Sequence, residues 1–506
     1  MGLRAQVRKA WAYLSLMLLA AGAILSLILL AVRAFAIRQS YVLGRSRRER
    51  NRARCGAGWE AVPALGEASE QPTSRRVIPC AITCPEHRAP FVEERYHVPL
   101  DQCGGSALLV RIRPDPMVAA QAMRDCPTAT TATATRGAVL FLHGFAQNHT
   151  AWHLPAHRSL LCFAAACGFD AFALEMRSAA CRDTGAAPAT CTYQLATDDV
   201  PQALRLVARL SGHPRAFLVG HSLGGLVACA AAGLHPGLVA GVAPLAGAYE
   251  FGRGMRASQP MRSLWLVGLG IWRALVGTGL VPRRLLVPSR LLGIAGGVLS
   301  WAGAQLTPSS CQVGLPRSFA SAEDAAALRA FCASAFEDMP VGAANDLVRM
   351  ALRCGAGVGG TSLQCWGRRR GAGGSKDVTD DALAAFEALE DMPVFVLCAR
   401  DDGLAHWQDA TACFHRSRSA DKQCLVLGGP GPAQGGFSCD DARTATFPRE
   451  HLPPGQQPAA GWEAARFGHV DILITQRAPS STWLALLHWL GQKAAAEKGK
   501  AAAQGI

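Results

Sequence analysis

Ala216-Phe217-Leu218-Val219-Gly220-His221-Ser222-Leu223-Gly224-Gly225-Leu226-Val227-Ala228-Cys229-Ala230 is the stretch on which the fold turns. Apolar residues with high strand preference run straight into a Gly-x-Ser-x-Gly pattern, and an alanine-rich helical segment follows. In a chain with 52 glycines the pattern alone is weak. Its setting gives it meaning. A strand, a sharp turn and a helix in immediate succession would raise the Ser222 hydroxyl above a sheet. Gly220 and Gly224 would let that turn close without Cβ clashes, and the helix N-terminus favours negative charge developing nearby.

The same alternation extends on both sides. Upstream, Ser106–Ile112 and Ala138–Leu142 read as strands, 159–166 as a helix stopped by Gly168, and Ala171–Leu174 as a strand. Apolar spacing at Val200, Leu204, Val207 and Leu210 predicts a helix over 198–210. Downstream come the helix 226–234, a strand over Val239–Leu245, and later strands at 394–398 and 423–427, with a closing helix over 482–494. Strand–helix alternation predicts an α/β fold, a mostly parallel sheet flanked by helices. It stops after Leu245 and resumes near 391, so 248–390 reads as a cap inserted over the sheet edge. The segments are then 55–247 and 391–506 for the two parts of the core and 248–390 for the cap, with 1–54 ahead of them as an N-terminal membrane anchor and basic juxtamembrane linker. Within 55–127 proline breaks obscure the pattern, and Thr128–Thr135 reads as an exposed loop.

A serine is a weak nucleophile unaided, so a base and an orienting acid must lie beyond it in the chain. Ala399-Arg400-Asp401-Asp402-Gly403-Leu404 leaves the C-terminal end of a strand, where the nucleophile also sits. Asp402 is the favoured acid because a turn follows it directly; Asp401 is the alternative. His469, in Arg466-Phe467-Gly468-His469-Val470-Asp471, is the favoured base by order and position. His406 follows the acid's turn too closely, and His221 reads as a packing residue facing away from the nucleophile. Acyl transfer also needs oxyanion donors. The backbone N–H of Leu223 is one; the loop His143-Gly144-Phe145-Ala146-Gln147 supplies the other, assigned to Phe145.

With His143-Gly144-Phe145, Gly220-His221-Ser222-Leu223-Gly224-Gly225, Asp402 and Gly468-His469-Val470-Asp471 in place, the chain resembles an α/β-hydrolase of the lipase/esterase type over roughly 138–247 and 391–494. The resemblance implies a serine ester hydrolase that needs no metal or organic cofactor. A Ser at 222 speaks against epoxide hydrolases and haloalkane dehalogenases, which place an Asp there. The cap lies outside the resemblance, and a long Gly/Pro-rich insertion separates Asp402 from His469.

Composition narrows the remaining classes. Half of the 506 residues are apolar and 17% are charged, which excludes wholesale disorder; 18 cysteines in this length exclude a small disulfide scaffold. The net charge of +14 suggests nucleic acid until it is mapped: residues 1–54 hold eleven Lys/Arg and one Glu. A distributed nucleic-acid surface is therefore unsupported. Trp11–Val32 is an uncharged run of 22 residues, about 33 Å as a helix and enough to cross a bilayer core of about 30 Å. It predicts an N-terminal transmembrane helix, with a cleaved signal peptide as the alternative given Ala34-Phe35-Ala36. Eight Arg follow the span and three basic residues precede it, which predicts a cytosolic main domain. The sequon Asn148-His149-Thr150 and the cysteines point the other way, although Cys162, Cys167, Cys229 and Cys398 sit in apolar contexts that suit buried thiols. Trp265, Trp272 and Trp301, interleaved with Leu and with Arg273, Arg283, Arg284 and Arg290, suit either an interfacial lid or an ordinary buried cap. The expected partner is a lipid-derived or other apolar ester at a membrane. An acyltransferase with the same three residues, and a non-catalytic membrane scaffold with this fold, are the other readings.

Overall fold

The computed structural model of the protein describes residues 70–78, 91–101, 105–115, 135–154, 158–177, 191–247, 249–250, 325–347, 382–402, 404–428 and 467–503, with a few isolated residues between 274 and 287. Among these, nine strands form one sheet: β1 (Ser74–Ile78), β2 (Phe91–Pro99), β3 (Ser106–Pro114), β4 (Ala138–Leu142), β5 (Asp170–Glu175), β6 (Ala216–His221), β7 (Val239–Leu245), β8 (Val394–Ala399) and β9 (Lys422–Leu427). Their order is β1-β2-β3-β5-β4-β6-β7-β8-β9. β1, β2 and β3 pair antiparallel, as do β3 and β5. From β5 onward every neighbour is parallel. Strands β4 to β8 are buried along their whole length, which is why they read as uninterrupted apolar runs.

The first two strands are additions to the sequence expectation. Glu93, Glu94 and Arg95 break the apolar pattern of β2, yet the two carboxylates are buried. Arg76 and Arg95 hold Glu93, and Arg113 holds Glu94 at 2.7 Å. Those arginines keep both carboxyl groups below the ordinary glutamate range although burial opposes it. Such pairing is a tertiary property, invisible to periodicity.

Side chains alternate across the sheet and divide the core. Leu140, Leu142 and Leu218 face one layer with α2 (Val200–Ser211), α3 (Leu223–Leu234) and α5 (Ala382–Glu387); Val139, Phe141 and Phe217 face the other with α1 (Leu160–Ala166), α4 (Ala325–Ser334) and α6 (Leu484–Ala503). Residues 223–232 of α3 are all buried, so its small side chains serve close packing. At Gly233 a Cβ would lie 2.2 Å from the Ala382 carbonyl, the contact that seats α5. The helix expected from 198 begins with a π turn over Leu195–Asp199, and α2 proper starts at Val200. Asp198 and Asp199 are buried there against Arg177, at 3.2 and 2.9 Å.

Trp11–Val32, the basic linker that follows it, most of the cap, and all but the last residue of the Thr/Ala stretch lie outside the described residues. Among the described residues no helix is long and apolar enough to cross a membrane.

Candidate active site

The parallel register delivers the ends of four strands to one edge. Leu142 lies opposite Gly220, and His221 opposite Leu245, which is in turn opposite Leu397. The residues that follow β4, β6 and β8 therefore meet there.

Ser222 occupies the link between β6 and α3 with φ 53° and ψ −119°, a conformation that L-residues avoid at a cost of about 1–3 kcal/mol. Its N–H donates to Leu245 O at 3.0 Å, and its carbonyl accepts from Gly225 N–H at 3.0 Å. The flanking glycines answer to space alone. A Cβ on Gly220 would lie 2.2 Å from Gly224 O, and one on Gly224 would lie 2.2 Å from Leu142 O. The turn can be this tight only where both side chains are absent.

Asp402 is buried, and its two oxygens divide their work. Oδ1 accepts from the N–H groups of Leu404 and Ala405, each at 2.8 Å. Oδ2 accepts from His469 Nδ1 at 2.8 Å. Asp401 is exposed. Between the two adjacent acids, then, Asp402 is the one paired with His469, and the N–H groups of Leu404 and Ala405 are what fix its side chain. His469 is also buried, in a short turn closed by Asp471, whose Oδ2 accepts from Gly468 N–H at 2.6 Å.

The loop after β4 closes over the same edge. A Cβ on Gly144 would approach Ser222 Cβ to 3.1 Å, so this backbone lies against the serine turn. Gly144 N–H donates to Gln147 Oε1 at 2.9 Å, and Ala146 N–H donates to Met339 Sδ at 3.0 Å. Among the described residues no hydrogen bond takes up the N–H of Phe145 or of Leu223. Residues 335–337 stitch this loop down. Gln147 bridges Phe336, Asn148 N–H donates to Ala335 O at 2.9 Å, and Glu337 N–H donates to Ala146 O at 2.9 Å.

Behind the loop sits a set of buried imidazoles. His143 Nε2 accepts from Met176 N–H at 3.2 Å, so its proton lies on Nδ1, 2.9 Å from Gly144 O. Burial pushes its pKa down to about 4. His149 pairs with Glu175, whose carboxyl is raised by burial but lowered on balance by that partner. Within the sequon, Asn148 Nδ2 donates to Ser334 O at 3.0 Å, while Oδ1 caps Thr150 N–H at 3.0 Å. Cys162, Cys229 and Cys398 are buried and Cys167 half-buried, as their apolar contexts predict.

One expectation changes, and one residue gains a role that the sequence did not suggest. His221 does not face away from the site: it is buried with its ring 4.7 Å from that of His469. Gln147, quoted only as part of a loop, proves to be that loop's internal brace. No spacing signal marks either role, because both depend on chain segments brought together by the sheet. Among the described residues no group of three or more His, Cys, Asp or Glu is arranged to hold a metal ion.

Residues 137–270 match the alpha/beta hydrolase fold family. No curated protein matches the chain in sequence. Solved structures similar to it include a thermophilic esterase from Thermogutta terrifontis, at 14% identity over 79% of this chain and 99% of that one, with a TM-score of 0.40. A soluble variant of monoglyceride lipase from Saccharomyces cerevisiae is similar at 14% identity, covering 86% and 99%, with a TM-score of 0.41. Haloalkane dehalogenase DbeA from Bradyrhizobium elkani is similar at 14% identity, covering 80% and 99%, with a TM-score of 0.41. The chain carries the alpha/beta hydrolase fold.

Proposed function

We propose that this chain is a serine hydrolase that cleaves carboxylic esters through an acyl-enzyme, with Ser222 as nucleophile, His469 as base and Asp402 as the acid that orients it. One observation carries the reading: a serine strained into a sharp strand–helix turn shares a sheet edge with a buried, hydrogen-bonded Asp402–His469 pair. The 2.8 Å bond to Asp402 fixes the His469 proton on Nδ1, which makes Nε2 the nitrogen that can receive the hydroxyl proton. Ser222 Oγ attacks the ester carbonyl carbon as His469 takes its proton. The N–H groups of Leu223 and Phe145 receive the oxyanion. The alcohol leaves with the proton from His469, and water then repeats the attack on the acyl-enzyme. Each oxyanion donor in such a site is worth about 10²–10³ in rate.

The substrate proposal is a lipid-derived or other apolar ester, reached from a membrane on which residues 11–32 anchor the enzyme, with the catalytic part on the cytosolic side. Its support is the apolar, Trp- and Arg-bearing sequence of the cap and the Arg-rich segment after the apolar run.

A fluorophosphonate probe tests the chemistry. Wild type should label and Ser222→Ala should not; equal labelling of both would refute the nucleophile and with it the hydrolase reading. Product analysis with and without an acceptor alcohol separates hydrolysis from acyl transfer. Protease protection on intact microsomes reads the side on which the domain lies.

A further inference from the structure

His221 touches several separate parts of the site. It belongs to β6 and immediately precedes Ser222, yet its ring is fully buried and reaches two other segments. Nε2 lies 3.0 Å from His469 O. A carbonyl can only accept, so Nε2 carries the proton and donates it. Burial, reinforced by the neighbouring His469, holds the ring far below the usual imidazole range and hence neutral. Its other nitrogen, Nδ1, meets Gln147 Oε1 at 3.2 Å as a close contact between acceptors, since that oxygen takes its hydrogen from Gly144 N–H. Gly144 has no room for a side chain at this junction: a Cβ there would fall 3.1 Å from His221 Nδ1 and 2.8 Å from Gln147 Oε1. Trp152 closes the far side, edge-on to the ring with centroids 6.4 Å apart.

Three loops with no covalent link therefore share one buried junction. The serine turn supplies the ring, the base loop supplies the His469 carbonyl, and the Gly144–Gln147 loop supplies the amide oxygen. We propose that His221 and Gln147 are positioning residues that set the base loop and the oxyanion loop in register with Ser222; this rests on the serine-hydrolase reading above. Neither side chain exchanges a proton with substrate. His221 fixes the main chain at His469, and Gln147 fixes the main chain one residue before the Phe145 N–H. Both act on atoms whose placement decides the rate, where a displacement of about 1 Å costs about 100-fold.

The full-length protein in detergent, assayed with a short-chain p-nitrophenyl ester and a fluorophosphonate probe, tests the proposal in four variants. His221→Phe keeps the ring volume and deletes the donor; it should lower kcat by about 10–100-fold while KM stays within about threefold. His221→Gln returns an N–H near the Nε2 position and should recover kcat to within about fivefold of wild type. Gln147→Leu removes the acceptor for Gly144 N–H and should again lower kcat, not raise KM. Ser222→Ala marks the background. Wild-type kcat in His221→Phe or Gln147→Leu overturns the proposal, as does a His221→Gln no better than His221→Phe when both melt like wild type. If His221→Phe fails to fold, His221→Gln and Gln147→Leu decide: activity retained in the first and lost in the second supports the proposal, and any other pattern overturns it. A wild type indistinguishable from Ser222→Ala is the separate outcome in which the hydrolase reading itself has failed.

Discussion

Replacing Asp402 by Asn changes one atom at the centre of the site, and the structure says which. Oδ1 accepts two backbone N–H groups, from Leu404 and Ala405 at 2.8 Å each, so the carboxamide must keep its oxygen on that side. Its nitrogen then faces His469 Nδ1, where the carboxylate stood at 2.8 Å. A donor there leaves Nδ1 able only to accept, and the imidazole proton moves to Nε2. That is the wrong tautomer to receive the Ser222 proton, and the corresponding loss in kcat is on the order of 10⁴, about 5 kcal/mol. The cost in stability is smaller. Three charge-assisted bonds become neutral ones, each weaker by about 1 kcal/mol, so unfolding should be easier by about 3 kcal/mol. Asp401→Asn alters an exposed side chain and should leave kcat within about twofold. Steady-state hydrolysis of a p-nitrophenyl ester near neutral pH, with a urea midpoint for each variant, separates the two effects. If Asp402→Asn retains more than about a tenth of wild-type kcat, or if Asp401→Asn loses as much, Asp402 is not the group that sets the tautomer.

Gly224→Ala would force a Cβ to within 2.2 Å of the Leu142 carbonyl, a backbone atom of the neighbouring strand that cannot step aside; we expect destabilisation of about 3 kcal/mol, against a change within about 0.5 kcal/mol for Gly237→Ala, which meets nothing within 4 Å. Urea midpoints of the two variants compare them directly, and equal midpoints would refute the packing account of the turn. Acid should destabilise the fold below neutrality. Burial holds His143 and His153 at about 4, below the unfolded value of about 6.5, so the unfolded chain takes up protons first as pH falls. Each histidine's contribution is intact above pH 6.5 and lost progressively toward pH 4, nominally about 3 kcal/mol apiece. His221 acts in the same direction, while Asp199, raised to about 7 by burial against the pull of Arg177, acts in the opposite one. The histidines prevail in this balance, and a urea midpoint higher at pH 4.5 than at pH 7 would contradict it.

Strands β4 to β8 were legible because a parallel strand covered on both faces is apolar at nearly every position, and the runs at 138–142, 216–219, 239–245 and 394–398 are too short for typical helices. Strands β1 and β2 were not legible. Their buried Glu93 and Glu94 are tolerated only because arginines from adjoining strands and from β2 itself reach them. The serine turn was legible for a steric reason, as small residues at 220 and 224 are required wherever strand and helix meet so closely. The partners of Asn148 were not legible, since a three-residue sequon does not show that its carboxamide nitrogen donates to the Ser334 carbonyl.

Order along the chain was enough to nominate Ser222, an acid at 401 or 402, and His469, because strand ends in a parallel sheet fall on one side and local sequence fixes where each strand stops. Choosing between the two acids required distances, since adjacent residues on a turn point to different surroundings and only Asp402 meets the imidazole. The same holds for His221 and Gln147. Contacts between residues 74 and 248 positions apart leave no trace in local pattern, and they exist only once the sheet has brought the three loops together.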